Sequence, residues 1–179
     1  MTVPVVRTAL VPVSEVLDLR WEVLRPGLPR EAAAFPEDGD PAAFHIASYE
    51  GDAPEVLGCG TFFPEPFPGP LPEPLPGPSS GPPDSAATAY RFRGMASAPA
   101  ARGRGHGAAV LRAGAAEAAA RGAGLLWCNG RTPARGFYER QGFRAHGEEF
   151  VIEGVGPHLV FVLEIRPRTR RTGDVAGRP

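Results

Sequence analysis

The sequence predicts an α/β domain, with helices layered on a mixed sheet. Strand-like and helix-like runs follow one another as strand, helix, three strands, helix, strand, helix, two strands. The hydrophobic share of 42% is enough for a core. A length of 179 residues suits one domain with an appendage. We place the domain at residues 1–166, with a proline-rich insertion at 64–87 and an arginine-rich, disordered tail at 167–179.

The elements follow from local chemistry. Val3–Val13 is apolar and β-branched, a first strand. Ser14 is a candidate cap for a helix carrying Leu17, Leu19, Trp21 and Leu24, which "RPG" stops. Leu28–Pro41 is acidic and loop-rich, and Ala43–Glu50 and Val56–Phe63 form a hairpin. From Pro64 to Pro78 proline takes every second position. Lacking the amide hydrogen and fixed in φ, this run predicts an extended arm, a lid or docking ligand or simply a tolerated insertion. Thr88–Ala98 is again a strand. The alanine-rich run after it is a helix, with Val110, Leu111, Gly114, Ala115 and Ala118 on one face. Ala123–Asn129 is a buried strand and Thr132–Phe143 a short helix with Thr132 at its cap. "FRAHGEEFVI" and "PHLVFVLEI" close the domain as an antiparallel pair.

Composition narrows the function. The net charge of −1 argues against a general nucleic-acid binder, and all nineteen basic residues are arginine. Cys59 and Cys128 lie in apolar runs, as buried reduced thiols do, so we expect a cytoplasmic protein without disulfides. The N-terminal stretch has no signal-peptide pattern, and no segment approaches the roughly 20 apolar residues of a membrane span.

The chemistry concentrates in "ARGRGHGAAVL" (Ala101–Leu111), where glycines run directly into helix formers. A helix N-terminus presents unpaired amides and partial positive charge, and preceding glycines let a phosphate approach the backbone. A P-loop needs a lysine, which the chain lacks. A dinucleotide fold needs an acid at the end of the next strand, which ends "WCN" instead. RNA binding through "RGRG" would want aromatic platforms nearby, and there are none.

Arg102-Gly103-Arg104-Gly105-His106-Gly107 resembles the Arg/Gln-x-x-Gly-x-Gly/Ala motif of the GNAT N-acetyltransferases. Pro99 precedes it as in many members, and "ARGFYERQGF" resembles their second signature, with Ala134, Tyr138, Gly142 and Phe143. The resemblance covers Thr88–Ile165 well and the N-terminal half in layout. It implies the GNAT fold: a mixed central sheet of about six to seven strands, splayed at the cofactor site and flanked by helices. It implies acetyl-CoA as cosubstrate without a metal, a primary amine as acceptor, no nucleic-acid or membrane partner, and a monomer or homodimer. The different-class alternative is a non-catalytic acyl-CoA sensor or an interaction module.

Residue by residue, the resemblance implies that the backbone of Met95, Ala96 and Ser97 pairs with pantetheine. The amides of Gly103, Arg104, Gly105, His106, Gly107 and Ala108 would hold the pyrophosphate, with Arg102 opening the motif. Tyr138 would face the coenzyme sulfur. A cofactor-contacting asparagine of many members is here Arg131, with Asn129 two residues earlier as a substitute. A glutamate base of some members is replaced in the segment Leu126-Trp127-Cys128, which leaves Glu149 and His158 on the terminal hairpin as candidate bases. Arg93 is the candidate for binding an acidic group of the acceptor.

Overall fold

The computed structural model describes residues 5–70 and 88–165. The start of the first predicted strand, most of the proline-rich arm and the arginine-rich tail lie outside them. Seven strands form one mixed sheet: β1 Val6–Val11, β2 Phe44–Glu50, β3 Gly58–Pro64, β4 Ala89–Ser97, β5 Leu125–Arg131, β6 Arg144–Ile152 and β7 Gly156–Glu164. Their spatial order is β1-β2-β3-β4-β5-β7-β6. Every neighbouring pair is antiparallel except β4 with β5.

Helices cover both faces. On one lies α2, His106–Ala120, with the short α3, Arg135–Arg140; on the other lies α1, Val13–Leu24. Strand alternation divides the core accordingly. Phe44, Phe62, Phe92, Leu126 and Phe161 pack with Val110, Leu111 and Tyr138 under α2 and α3. Ala47, Tyr49, Cys59 and Ala96 pack with Val16 and Leu19 of α1.

Two caps differ from expectation. The N-cap of α1 is Pro12 and Ser14 lies inside the helix, because proline at φ −68° already has the backbone an entry needs. Thr132 opens a 3-10 turn, Thr132–Ala134, before α3, and its hydroxyl finds no partner among the described residues. The acidic segment after α1 is also more ordered than a loop, with 3-10 turns at Arg30–Ala33 and Pro36–Gly39.

The sheet opens in its middle. β4 and β5 pair only at Ala89/Leu125, Tyr90/Leu126 and Arg91/Trp127. Beyond that point β4 runs on to Ser97 and β5 to Arg131 without pairing, each held by its other neighbour. A bulge bends β4 there: its register with β3 slips between Thr61/Arg93 and Cys59/Ala96, around Gly94 at φ +66°. A side chain at Gly94 would also collide with Phe35, 2.7 Å from the position of a Cβ.

Candidate active site

The gap between β4 and β5 has a different environment at each of its faces. On the α2 face, the chain leaves β4 at Ser97, turns through Pro99–Ala101 and enters α2 at Gly105, which has φ +90°. Gly103, at φ +75°, shares the left-handed conformation, and no atom lies within 4 Å of a Cβ built at either glycine. The first amide of α2 with an internal acceptor is that of Ala109, on the Gly105 carbonyl. The amides of Gly103, Gly105, His106, Gly107 and Ala108 therefore have no backbone partners among the described residues, a set of donors at the positive end of a helix. Arg104 differs: its amide bonds to Ala101 O at 3.3 Å and its side chain pairs with Glu50. The Arg102 amide reaches Pro99 O at 3.4 Å.

The side chain of His106 faces inward from the cradle. It is buried, with Nδ1 3.0 Å from Ser48 Oγ, while Nε2 lacks a partner among the described residues. Ser97 and Phe137 flank Gly107, and Met95 packs toward Gly60 and Val110. Ala96 faces the other way, into the α1 core.

Tyr138 lies beneath the gap on the same face. Its ring stacks on Phe161 of β7 at 4.6 Å and approaches Phe92 of β4 at 6.2 Å. The ring thus spans the separation of the strands, and it fits because Gly130 leaves room: a Cβ there would sit 2.6 Å from the Tyr138 ring. Burial, then the neighbouring Cys128 thiol, push the phenol pKa well above 10. Cys128 and Cys59 are both free and buried, and burial pushes the Cys59 thiol up to about 11. Neither is poised as a thiolate.

Asn129 and Arg131 alternate with Cys128 and Gly130, so they lie on the face away from Tyr138. Arg131 reaches the Val155 carbonyl at 3.4 Å. His158, opposite Arg131 on β7, is buried; its Nδ1 is 2.8 Å from Gly156 O, and its ring stacks on Phe150. Glu149 is exposed on β6, an edge strand, inside the irregular register between His146 and Phe150. The structure thus groups the glycine cradle with Tyr138 and sets Asn129, Arg131 and His158 on the opposite face.

That opposite face holds Arg93, the acceptor-binding candidate, among partners that the motifs did not reveal. Arg93, two residues past the last β4–β5 pair, stacks on Phe35 at 4.0 Å and contacts both oxygens of Glu37 through Nη1 at 3.4 Å. Arg91 pairs with Glu65 at 2.9 Å and stacks near Trp127. Glu65 belongs to the start of the proline-rich run, where Phe67 packs edge-on against Trp127 and His146. Burial lowers the Arg93 pKa below its usual value, Glu37 opposes this and Arg91 adds to it.

A buried clamp holds Phe35 and Glu37 in place. Arg20 of α1 is fully buried and donates to both oxygens of Asp38, at 2.8 and 3.2 Å, to Ala33 O at 2.9 Å, and to Thr61 Oγ1. Asp38 also accepts the Phe35 amide at 2.8 Å. Arg20 also stacks on the Phe35 ring, at 4.1 Å. Because Thr61 Oγ1 accepts from Arg20, its own hydrogen is free for Nδ1 of a neutral His45, 2.9 Å away.

Burial is the largest cause lowering the His45 pKa below 6.5; Asp38 opposes it and Arg20 adds to it. The unfolded chain then takes up the proton at higher pH than the folded one. Stability from neutral His45 is full above pH 6.5 and is lost as pH falls through the lower folded value. Burial also lowers the His106 pKa, so its contribution has the same sign. Thermal melts should show the midpoint falling from neutral to pH 5, with a shallower fall in His45→Asn. An unchanged slope in that variant would remove His45 as a cause.

Among the described residues no helix is long and apolar enough to cross a membrane. The chain is 28% identical over 155 residues to YitI, an uncharacterized N-acetyltransferase of Bacillus subtilis (strain 168), covering 86% of this chain and 93% of that one. Its fold is similar to that of a GCN5-related N-acetyltransferase from Kribbella flavida, with a TM-score of 0.62 and 20% identity over 89% of this chain and 98% of the other. It is also similar to a Corynebacterium glutamicum structure of histone acetyltransferase HPA2 and related acetyltransferase, with a TM-score of 0.61 and 17% identity over 95% and 99%. The family model for acetyltransferases of the GNAT type matches residues 13–143, from the start of α1 through both signatures and the splayed strands, and the chain belongs to that family.

Proposed function

We propose that the protein is an N-acetyltransferase that moves an acetyl group from acetyl-CoA to a primary amine. The observation that carries this is the gap beyond Arg91/Trp127, flanked on one face by the glycine cradle and by Tyr138. When bound, acetyl-CoA supplies an activated acetyl thioester. The free amides of Gly103, Gly105, His106, Gly107 and Ala108 suit its pyrophosphate, and Arg102 adds positive charge at the entrance. The unpaired edge of β4 through Met95, Ala96 and Ser97 offers backbone groups to the pantetheine arm.

The acceptor amine must shed a proton before it attacks, since an alkyl ammonium with pKa about 10 is nearly all charged at neutral pH. His158 suits the role of base, because its Nδ1–H is directed at the Gly156 carbonyl, which leaves Nε2 with a basic lone pair. Glu149 is the alternative on the same hairpin. Tyr138 acts on the departing sulfur. A phenol is ordinarily a weaker acid than a thiol, and burial widens the difference. Tyr138 therefore stabilises the sulfur as a hydrogen-bond donor and stays protonated.

Tyr138→Phe is expected to lower kcat about tenfold, the loss of one such bond, while leaving the acetyl-CoA Kd unchanged. Thiol release with a panel of amines, alongside calorimetry with acetyl-CoA, checks this. Tight binding without turnover of any amine would favour a sensor.

A further inference from the structure

We infer that the acceptor is a small zwitterion of the amino-acid type, its ammonium taken by Glu37 and its carboxylate by Arg93, with Asn129 closing the site across the gap. The inference rests on the acetyltransfer reading and specifies the acceptor for that site. An acyl group held from the α2 face must meet its acceptor from the opposite face. There, Arg93 on β4 and Asn129 on β5 are the first same-face residues beyond the last paired position, Arg91/Trp127.

The two charged side chains are fixed yet incompletely engaged. Arg93 is held by stacking on Phe35, and only Nη1 touches Glu37, at 3.4 Å to each oxygen. Its Nε and Nη2 make no hydrogen bond among the described residues. Two adjacent guanidinium donors in a fork match a carboxylate bidentately. The Glu37 carboxylate likewise has no second partner among the described residues. The Glu37 and Arg93 side chains keep 22% and 32% exposure, so a ligand can reach both.

The pairing of charges at Arg93 narrows the chemical class. Two arginines of β4 on the α1 face of the gap, Arg91 and Arg93, are each matched by a glutamate, Glu65 and Glu37, while Arg131 of β5 on the same face reaches the Val155 carbonyl. The Arg93–Glu37 pair offers one charge of each sign, each with hydrogen-bonding capacity left among the described residues, and suits a ligand of the same kind.

The test compares each α-amino acid with its decarboxylated amine, together with spermidine and a blocked-carboxylate peptide, by thiol release from acetyl-CoA. The amino acids should show kcat/KM about thirty-fold or more above their amines, the size expected of a charged bidentate pair. Arg93→Gln should raise KM for the amino acid by about that factor relative to KM for the amine, and Arg93→Lys should recover part of it. Glu37→Gln should raise KM for both members of the pair. Calorimetry should find acetyl-CoA affinity intact in all three variants. A wild-type protein that binds no acetyl-CoA overturns the acetyltransfer reading, and this one with it. Binding without turnover of any amino acid overturns the zwitterion alone. So does turnover of amines, spermidine or the peptide as fast as amino acids, or an Arg93→Gln that affects both members equally.

Discussion

Gly114→Ala is expected to destabilise the protein, although alanine is the better helix former. In an exposed helix the exchange would gain about 1 kcal/mol. Here α2 crosses the sheet at Gly114, and a Cβ at that position would lie 2.0 Å from Phe62 Cζ and 2.2 Å from Cε1. Contacts that short cannot be relieved by a small rotation of the ring. Phe62 is fully buried, stacked on Phe44 at 5.1 Å and in contact with Phe92 at 5.6 Å. Either α2 lifts from the sheet or the aromatic row shifts, and overpacking of this kind costs about 3 kcal/mol at the upper end of its usual range. Net of the helix gain, about 2 kcal/mol is lost, roughly 4–8 °C in melting temperature for a domain of this size. Phe62→Leu in the Gly114→Ala background should recover part of it by vacating the contact. A melt in which Gly114→Ala alone raises the midpoint would show that α2 does not lie this close to the sheet.

The same helix shows why some features are legible in the sequence. Gly114, Ala115 and Ala118 announce close packing because small residues on one helical face have few other uses. The cradle is legible for a related reason. Gly103 and Gly105 stand within a few residues of the helix they open, and local spacing is what a sequence displays directly. Placing Tyr138 under the gap needs the second signature, which is also local.

The far wall is not legible, because its contacts join distant positions. Glu37 meets Arg93 across 56 residues, and Arg20 meets Thr61 across 41. The sequence points to an apolar stripe on α1 through Leu17, Leu19, Trp21 and Leu24, but the buried positions are Val16, Leu19 and Arg20. Trp21 turns outward enough to donate to the Leu28 carbonyl at 2.7 Å. One signal is available: Arg20 stands four residues after Val16, on the stripe a core-facing helix reserves for apolar side chains. A charge there requires a buried partner, and "PEDGD" offers the acids to supply it. The candidate bases pose the converse problem. Glu149 and His158 are close in sequence, yet a bulged edge strand exposes one while the other is buried.

Arg20→Met should be strongly destabilising, with an expected loss of about 3–5 kcal/mol. Methionine fills most of the space of the arginine stem but returns none of its hydrogen bonds. Asp38, whose side chain is 11% exposed, would keep its charge without the two donors that neutralise it. The Ala33 carbonyl and the Thr61 hydroxyl would lose their donor as well. Removing one partner of a buried pair costs more than removing both, so Arg20→Met with Asp38→Leu should be more stable than Arg20→Met alone. Thermal melts of the four proteins in that cycle measure the coupling, and a coupling near zero would show that the pair does not hold the loop. Arg20→Lys should fall between, because one ammonium cannot span Asp38, Ala33 and Thr61 as a planar guanidinium does. The consequence for the site follows from the chain path. Asp38 is adjacent to Glu37 and fixes the Phe35 amide, so releasing it frees the two residues that face Arg93. In Arg20→Lys, where the fold survives, acceptor KM should rise while the acetyl-CoA Kd holds, since the glycine cradle lies on the other face of the sheet.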